Sequence, residues 1–248
     1  MDAAAALAAA LPALAVGSFL NVVVARVPDG RSLVRPRSSC GSCGSAILWR
    51  DNVPLLSWLL LRGRCRRCRG RISPLYPAVE ALTAALVVAC VAVYGPTPYG
   101  LLAAGFCSVL VALSAIDAQR RAVPDRIVLP SAAVVLGARI AIDPSAEWAL
   151  SALAAGGALA LGVHALPRLV RLDDAKVALL AGAMLGSAVV VAFAASVLAL
   201  IAALVLATAL RGDSGSSRLG VPLAPFLAAS SVVSLFLGPR LLAAVPLL

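Results

Sequence analysis

Four of the six cysteines fall in two pairs, Cys40-Gly41-Ser42-Cys43 and Cys65-Arg66-Arg67-Cys68, separated by 21 residues. A CxxC turn sets two thiolates about one tetrahedral edge apart, and two such turns complete a four-sulfur zinc site; the spacing lies just beyond the usual range of about 15 to 20 residues. Flanking arginines favour the thiolate forms and offset the charge of a tetrathiolate centre. Such a site leaves no open coordination position, so Cys40, Cys43, Cys65 and Cys68 are expected to hold structural zinc. Cys90 and Cys107 lie inside apolar runs, where a small buried thiol is ordinary packing.

The second source of chemistry is carboxylates. Of eleven acidic residues, Glu80, the Asp117/Asp125 pair and Asp173/Asp174 lie within or beside apolar runs. A carboxylate at membrane depth is costly enough to imply function. Asp117 and Asp125 share the segment Ser114-Ala115-Ile116-Asp117-Ala118-Gln119-Arg120-Arg121-Ala122-Val123-Pro124-Asp125, and Asp173-Asp174 precedes Lys176, the only lysine. Two carboxylates brought to one site can work as an aspartic dyad: one stays ionised and activates water, while its protonated neighbour supplies a proton to the departing group. The alternative is that Asp117 and Asp174 cap helices or pair with Arg120, Arg121 and Lys176. Asp125 is expected to cap the helix that follows Pro124. His164 is the only histidine, and no HExxH, Walker or GxGxxG pattern occurs.

These residues must be positioned by membrane helices. The 248 residues are 62% hydrophobic and 13% charged, about half the charged share of a soluble domain. This excludes a disordered chain and argues against a soluble enzyme. Apolar runs at 3–25, 76–94, 99–116, 127–142, 148–166, 175–188, 190–210 and 221–237 suggest about eight transmembrane helices, the sixth and seventh obtained by dividing one 35-residue run near Gly186 and Ser187. The first run lacks a basic start and a small-residue cleavage site, so it reads as a retained span. The expected fold is all-α: a polytopic membrane protein with a first helix over 1–27, a four-cysteine zinc-binding loop over 28–75 and a seven-helix core over 76–248.

The formal charge is +10, but residues 26–73 hold eleven arginines against Asp29 and Asp51, while the rest of the chain is nearly balanced. A basic segment between spans suits an anionic membrane surface, at roughly 1 kcal/mol per basic residue. No nucleic-acid partner is expected. The first, third, fifth and seventh connections with their flanks hold 19 of the 21 basic residues, leaving only Arg139 and Arg240 opposite. Positive residues collect on the cytoplasmic side, so the odd-numbered loops are expected there and the N-terminus outside. In that reducing compartment the loop cysteines are not expected to form disulfides, and a polar loop of this size cannot build a core unaided.

In order, these segments resemble the type IV prepilin peptidases, also called prepilin leader peptidase/N-methyltransferases. Gly17-Ser18-Phe19-Leu20-Asn21-Val22-Val23 with Arg26-Val27-Pro28 is similar to that family's N-terminal signature, and the double CxxC follows. Ser73-Pro74-Leu75-Tyr76-Pro77-Ala78-Val79-Glu80-Ala81-Leu82-Thr83-Ala84 resembles its next block, Asp117 to Asp125 its first aspartate motif, and Val221-Pro222-Leu223-Ala224-Pro225-Phe226-Leu227 its last-helix motif.

The resemblance implies an intramembrane aspartic endopeptidase of the bacterial inner membrane that removes short basic leaders from prepilins or pseudopilins at the cytoplasmic face. Asp117 would be the first catalytic aspartate. Asp174 would be the second, placed by Asp174-Ala175-Lys176 against the family's Asp-x-Lys, with Asp173 as the alternative register. The family's GxGD reads Arg171-Leu172-Asp173-Asp174 here, with neither glycine. Glu80 is expected either to bond to polar groups of the site or to orient the second span. Many relatives also methylate the new N-terminus, so the resemblance carries S-adenosylmethionine as a further expectation. A non-catalytic membrane scaffold of a pilus or secretion assembly is the competing reading.

Overall fold

The computed structural model describes residues 3–165, 170–211 and 223–243. The motif at Val221 and Pro222 lies partly outside the described residues. Those residues form helices α1 (Ala3–Arg26), α2 (Leu56–Leu60), α3 (Leu75–Tyr94), α4 (Pro98–Arg120), α5 (Asp125–Ile142), α6 (Glu147–Ala165), α7 (Leu172–Leu185), α8 (Val189–Arg211) and α9 (Ala224–Ala243). Short 3₁₀ turns add Trp49–Asp51 and Gly186–Ala188. Among the described residues, extended pairing is limited to two isolated bridges, Ser39 with Ala46 and Arg64 with Arg71.

All the long helices follow the apolar runs, but only four segments among the described residues are long and apolar enough to cross a membrane: Ala8–Arg26, Leu75–Tyr94, Pro98–Arg120 and Leu172–Ala199. The last runs through the turn at Gly186–Ala188, close to where the sequence suggests dividing it. Gly186 has φ +59°, and a Cβ there would meet the Trp148 ring at 2.5 Å; only glycine fits both the left-handed conformation and the contact.

Two differences from the sequence expectation matter for the site. Helix α4 continues past 116 to Arg120, so Asp117 lies inside its last turns rather than at its end. Helix α7 starts at Leu172, before the apolar run at 175, which places Asp173, Asp174 and Lys176 in its first turns. Polar side chains carry both helices beyond their apolar stretches: helix formation needs an unbroken backbone ladder, not apolarity.

The chain packs as two compact units, Met1–Ile116 and Asp117–Leu248, divided within α4. In the first, α1 lies against α3, and a Cβ on Gly17 would meet the Glu80 Cα at 2.7 Å. Phe106, Leu110, Leu113 and Ile116 of α4 are buried, as are Cys90 and Cys107, whose sulfurs are 3.9 Å apart. In the second unit α7 is the central element, packed against α5, α6 and α9 and buried along most of its length. The α6–α7 crossing is close: a Cβ on Gly182 would meet the Ala152 Cα at 2.8 Å.

Candidate functional site

In the first unit the two CxxC segments fold alike. The Cys40 N–H donates to the Ser45 carbonyl and the Cys65 N–H to the Gly70 carbonyl; the Cys40 and Cys65 carbonyls accept from Gly44 and Arg69. Gly44 and Arg69, at equivalent places, take positive φ of 69° and 59°. These tight turns aim the thiols inward. The four sulfurs lie within 4.8 Å of one another and could hold a metal ion, and none forms a disulfide.

The thiols differ in acidity. Hydrogen bonds with Ser45 lower Cys43 to about 6, and the Cys68 and Arg67 backbone N–H groups lower Cys65. The Gly70 amide pulls Cys68 down, but the Cys43 thiol and desolvation outweigh it and push Cys68 up to about 11. Next to this cluster, Arg66 grips Asp51: Nε donates to both carboxylate oxygens at 3.0 and 2.9 Å, and Nη2 to Oδ1 at 2.6 Å. These bonds and the guanidinium charge hold the Asp51 carboxyl below its ordinary range.

Glu80 also serves this unit. Its buried carboxylate accepts the Leu55 N–H at 2.8 Å and an Asn21 amide hydrogen at 3.4 Å, while Asn21 also donates to the Tyr76 carbonyl at 3.0 Å. Glu80 therefore joins α1, α3 and the loop. A cavity of about 800 Å³ lies here, lined by residues including Asn21, Asp51, Trp58, Tyr76 and Glu80.

The second unit contains the aspartates. Asp117 and Asp174 are 1% and 2% exposed, against 23% for the Asp173 side chain. One residue, Arg171, touches both buried carboxyls. Its Nη1 donates to Asp117 Oδ1 at 3.3 Å, and its backbone N–H donates to Asp174 Oδ2 at 2.8 Å. The Asp174 N–H returns a bond to the Arg171 carbonyl at 3.0 Å, a reciprocal cap that starts α7. Asp174 is thus both helix cap and neighbour of Asp117, close enough for their charges to interact. The Ala224 N–H comes near the Asp117 carboxyl, but Asp117 Oδ2 is buried without a hydrogen-bond partner among the described residues.

Around them lies an ion network. Asp173 accepts from Arg171 Nη2 at 3.0 Å, from Lys176 at 3.0 Å and from the Val123 N–H at 3.2 Å; Lys176 also pairs with Asp125 at 2.5 Å. Arg171 Nη2 donates in addition to the Arg121 carbonyl. The cap position expected for Asp125 is taken by Pro124; Asp125 is the first helical residue, still an acidic group in the first turn of α5, and its carboxylate pairs with Lys176. The sequence does not single out Arg171 as a functional residue. Its only signal there is its place immediately before an acidic pair in a chain with few charges.

Comparison with known proteins accounts for the order of these parts. Residues 11–94 match the family described as Bacterial Peptidase A24 N-terminal domain, and residues 104–210 match the Type IV leader peptidase family. A prepilin leader peptidase/N-methyltransferase of Myxococcus xanthus is 50% identical over 117 residues, covering 47% of this chain and 35% of that protein. One from Burkholderia pseudomallei is 41% identical over 142 residues, covering 47% of this chain and 46% of its own. One from Klebsiella pneumoniae is 42% identical over 158 residues, covering 60% of this chain and 67% of the relative. The chain thus spans less than half the length of the first two. No solved structure gives a significant match. Since both regions match in chain order and the Klebsiella relative is covered over two thirds of its length, the chain belongs to the type IV leader peptidase family.

Proposed function

We propose that this protein is an aspartic endopeptidase that removes the basic leader from type IV prepilins or pseudopilins, with Asp117 and Asp174 as the catalytic pair. The observation that carries this reading is the burial of both carboxyls in the second unit, each bonded to Arg171, with Asp117 Oδ2 lacking a hydrogen-bond partner among the described residues. In the reaction, the ionised carboxylate takes a proton from water as the water oxygen attacks the scissile carbonyl carbon. The protonated carboxyl gives its proton to the carbonyl oxygen as the tetrahedral intermediate forms. Collapse of that intermediate breaks the C–N bond as the first carboxyl passes the proton it took from water to the departing amine and the second takes back a proton from a hydroxyl of the intermediate, which restores both.

The reading includes about eight spans in the bacterial inner membrane, an N-terminus outside, and cleavage at the cytoplasmic face. It keeps the division into 1–27, 28–75 and 76–248. It is supported by the four apolar segments and by the one-sided distribution of basic residues. Zinc is the metal proposed for Cys40, Cys43, Cys65 and Cys68. A tetrahedral zinc with sulfurs at about 2.3 Å has S···S edges near 3.8 Å, and the Cys40 and Cys68 sulfurs are 3.8 Å apart. With four cysteine ligands the metal braces the loop and leaves substrate chemistry to the aspartates. The relatives' name carries N-methyl transfer as a second activity, and the reading extends it to this chain with S-adenosylmethionine as the expected methyl donor. The cavity in the first unit is within the usual size range of a small-molecule site.

Co-expression with a prepilin tests the reading, with substrate mobility as the readout. Wild type is expected to shorten the substrate, whereas Asp117→Asn and Asp174→Asn insert normally and do not, because Asn keeps the volume but cannot cycle a proton. Asp173→Asn is expected to retain cleavage. Full processing by both dyad variants would overturn the assignment, and no cleavage by wild type would favour the scaffold.

A further inference from the structure

We propose that Arg171 is the positioning residue of the Asp117–Asp174 pair, and that Asp173 acts through it. This rests on the peptidase reading above and deepens it: where the resembled motif has two glycines, this chain carries an ion pair that aligns the carboxyls instead.

The geometry supports the assignment from both sides. Arg171 reaches the two carboxyls by different parts of itself, the backbone N–H binding Asp174 and Nη1 binding Asp117. A guanidinium is a rigid planar fork, so anchoring one nitrogen sets the direction of the other. Here Nη2 is anchored twice, on Asp173 Oδ2 at 3.0 Å and on the Arg121 carbonyl. Asp173 is itself held by Lys176 and by the Val123 N–H. The guanidinium therefore meets Asp117 from a braced position and occupies only Oδ1. Oδ2 has no hydrogen-bond partner among the described residues, and it is the oxygen that a water or a scissile carbonyl would need. The Arg171 side chain is 41% exposed, so its charge is in place without being sealed into the core.

The charge balance points the same way. Asp117, Asp125, Asp173 and Asp174 gather around two cations, Arg171 and Lys176, and Lys176 is committed to Asp125 and Asp173. Arg171 pairs with Asp117 of the proposed dyad, and losing its fork would leave Asp117 Oδ1 without that donor.

The test uses the purified full chain in detergent with a prepilin substrate, measuring kcat, KM and the midpoint of thermal unfolding. Arg171→Lys keeps the charge but loses the fork. It is expected to lower kcat roughly 10- to 100-fold, the scale of a small misplacement of reacting groups, with KM and the unfolding midpoint unchanged. Asp173→Asn is expected to lower kcat by a smaller factor. Arg171→Gly/Asp173→Gly is expected to be no slower than Arg171→Gly alone, because residues acting through one another are not additive. Wild-type kcat in Arg171→Lys and Arg171→Gly, with Asp117→Asn inactive, would overturn the positioning role and leave the peptidase reading standing. Parallel loss of kcat, KM and unfolding midpoint in Arg171→Lys would also overturn it, as a role in folding alone. Cleavage by Asp117→Asn would remove the peptidase reading itself.

Discussion

Lys176 and Asp125 form an ion pair at 2.5 Å that ties the first turns of α7 to the first residue of α5. The same ammonium holds Asp173 at 3.0 Å, so one side chain fastens two carboxylates from different helices.

This sharing makes the two ends of the pair unequal. Asp125 is 59% exposed and Lys176 23%, so Asp125→Asn is expected to cost about 0.2–1 kcal/mol, as exposed pairs do. Lys176→Met also strips Asp173 of a donor and is expected to cost about 1–3 kcal/mol. Unfolding in detergent compares them directly, and equal losses would mean that the bond to Asp173 adds nothing.

Helix crossings in the second unit depend on backbone approach at Gly182. Gly182→Ala forces the new methyl against Ala152 of α6 and is expected to destabilise by about 1–3 kcal/mol. At Gly157, on α6, a Cβ meets nothing within 4 Å. Gly157→Ala is expected to be neutral or to stabilise by up to about 1 kcal/mol through helix propensity. The order of the two unfolding midpoints checks the packing.

Metal analysis of the purified protein is expected to find zinc at one ion per chain. Cys40→Ser and Cys68→Ser should lower that content and expose residues 28–75 to proteolysis, since binding energy at such a site is folding energy. Full protease resistance after complete removal of the metal by a chelator would show that the loop stands without it.

The Asp51–Arg66 pair makes the loop's stability depend on pH. The folded-state pKa of Asp51 is depressed by the hydrogen bonds and charge of Arg66. Its contribution is therefore full above the unfolded value of about 4 and is lost as pH falls through the lower folded value. The difference in loop protection between wild type and Asp51→Asn is expected to be constant near neutrality and to shrink in acid. A difference that grows in acid would contradict the sign.

Much of this protein is legible in its sequence because the signals are local. Apolar runs mark the long helices to within a few residues, since burying a backbone in lipid leaves the helix as the economical solution for a single segment. The CxxC turns bring their thiols together through bonds spanning five or six residues, and the 21-residue spacing lets the pairs meet. The acidic residues worth examining are evident from their rarity in and beside the apolar runs.

Partnership was decided only by the tertiary structure. Asp125 pairs with Lys176 of another helix, Glu80 braces Leu55 and Asn21, and Arg171 unites Asp117 with Asp174. Most of these bonds join groups distant in sequence, and they exist because particular helices cross where glycine permits close approach or polar first turns extend beyond the apolar run. Periodicity and composition report which residues a helix carries. They do not report which helix comes to lie beside it, and an ion pair depends on angstroms that only that packing sets.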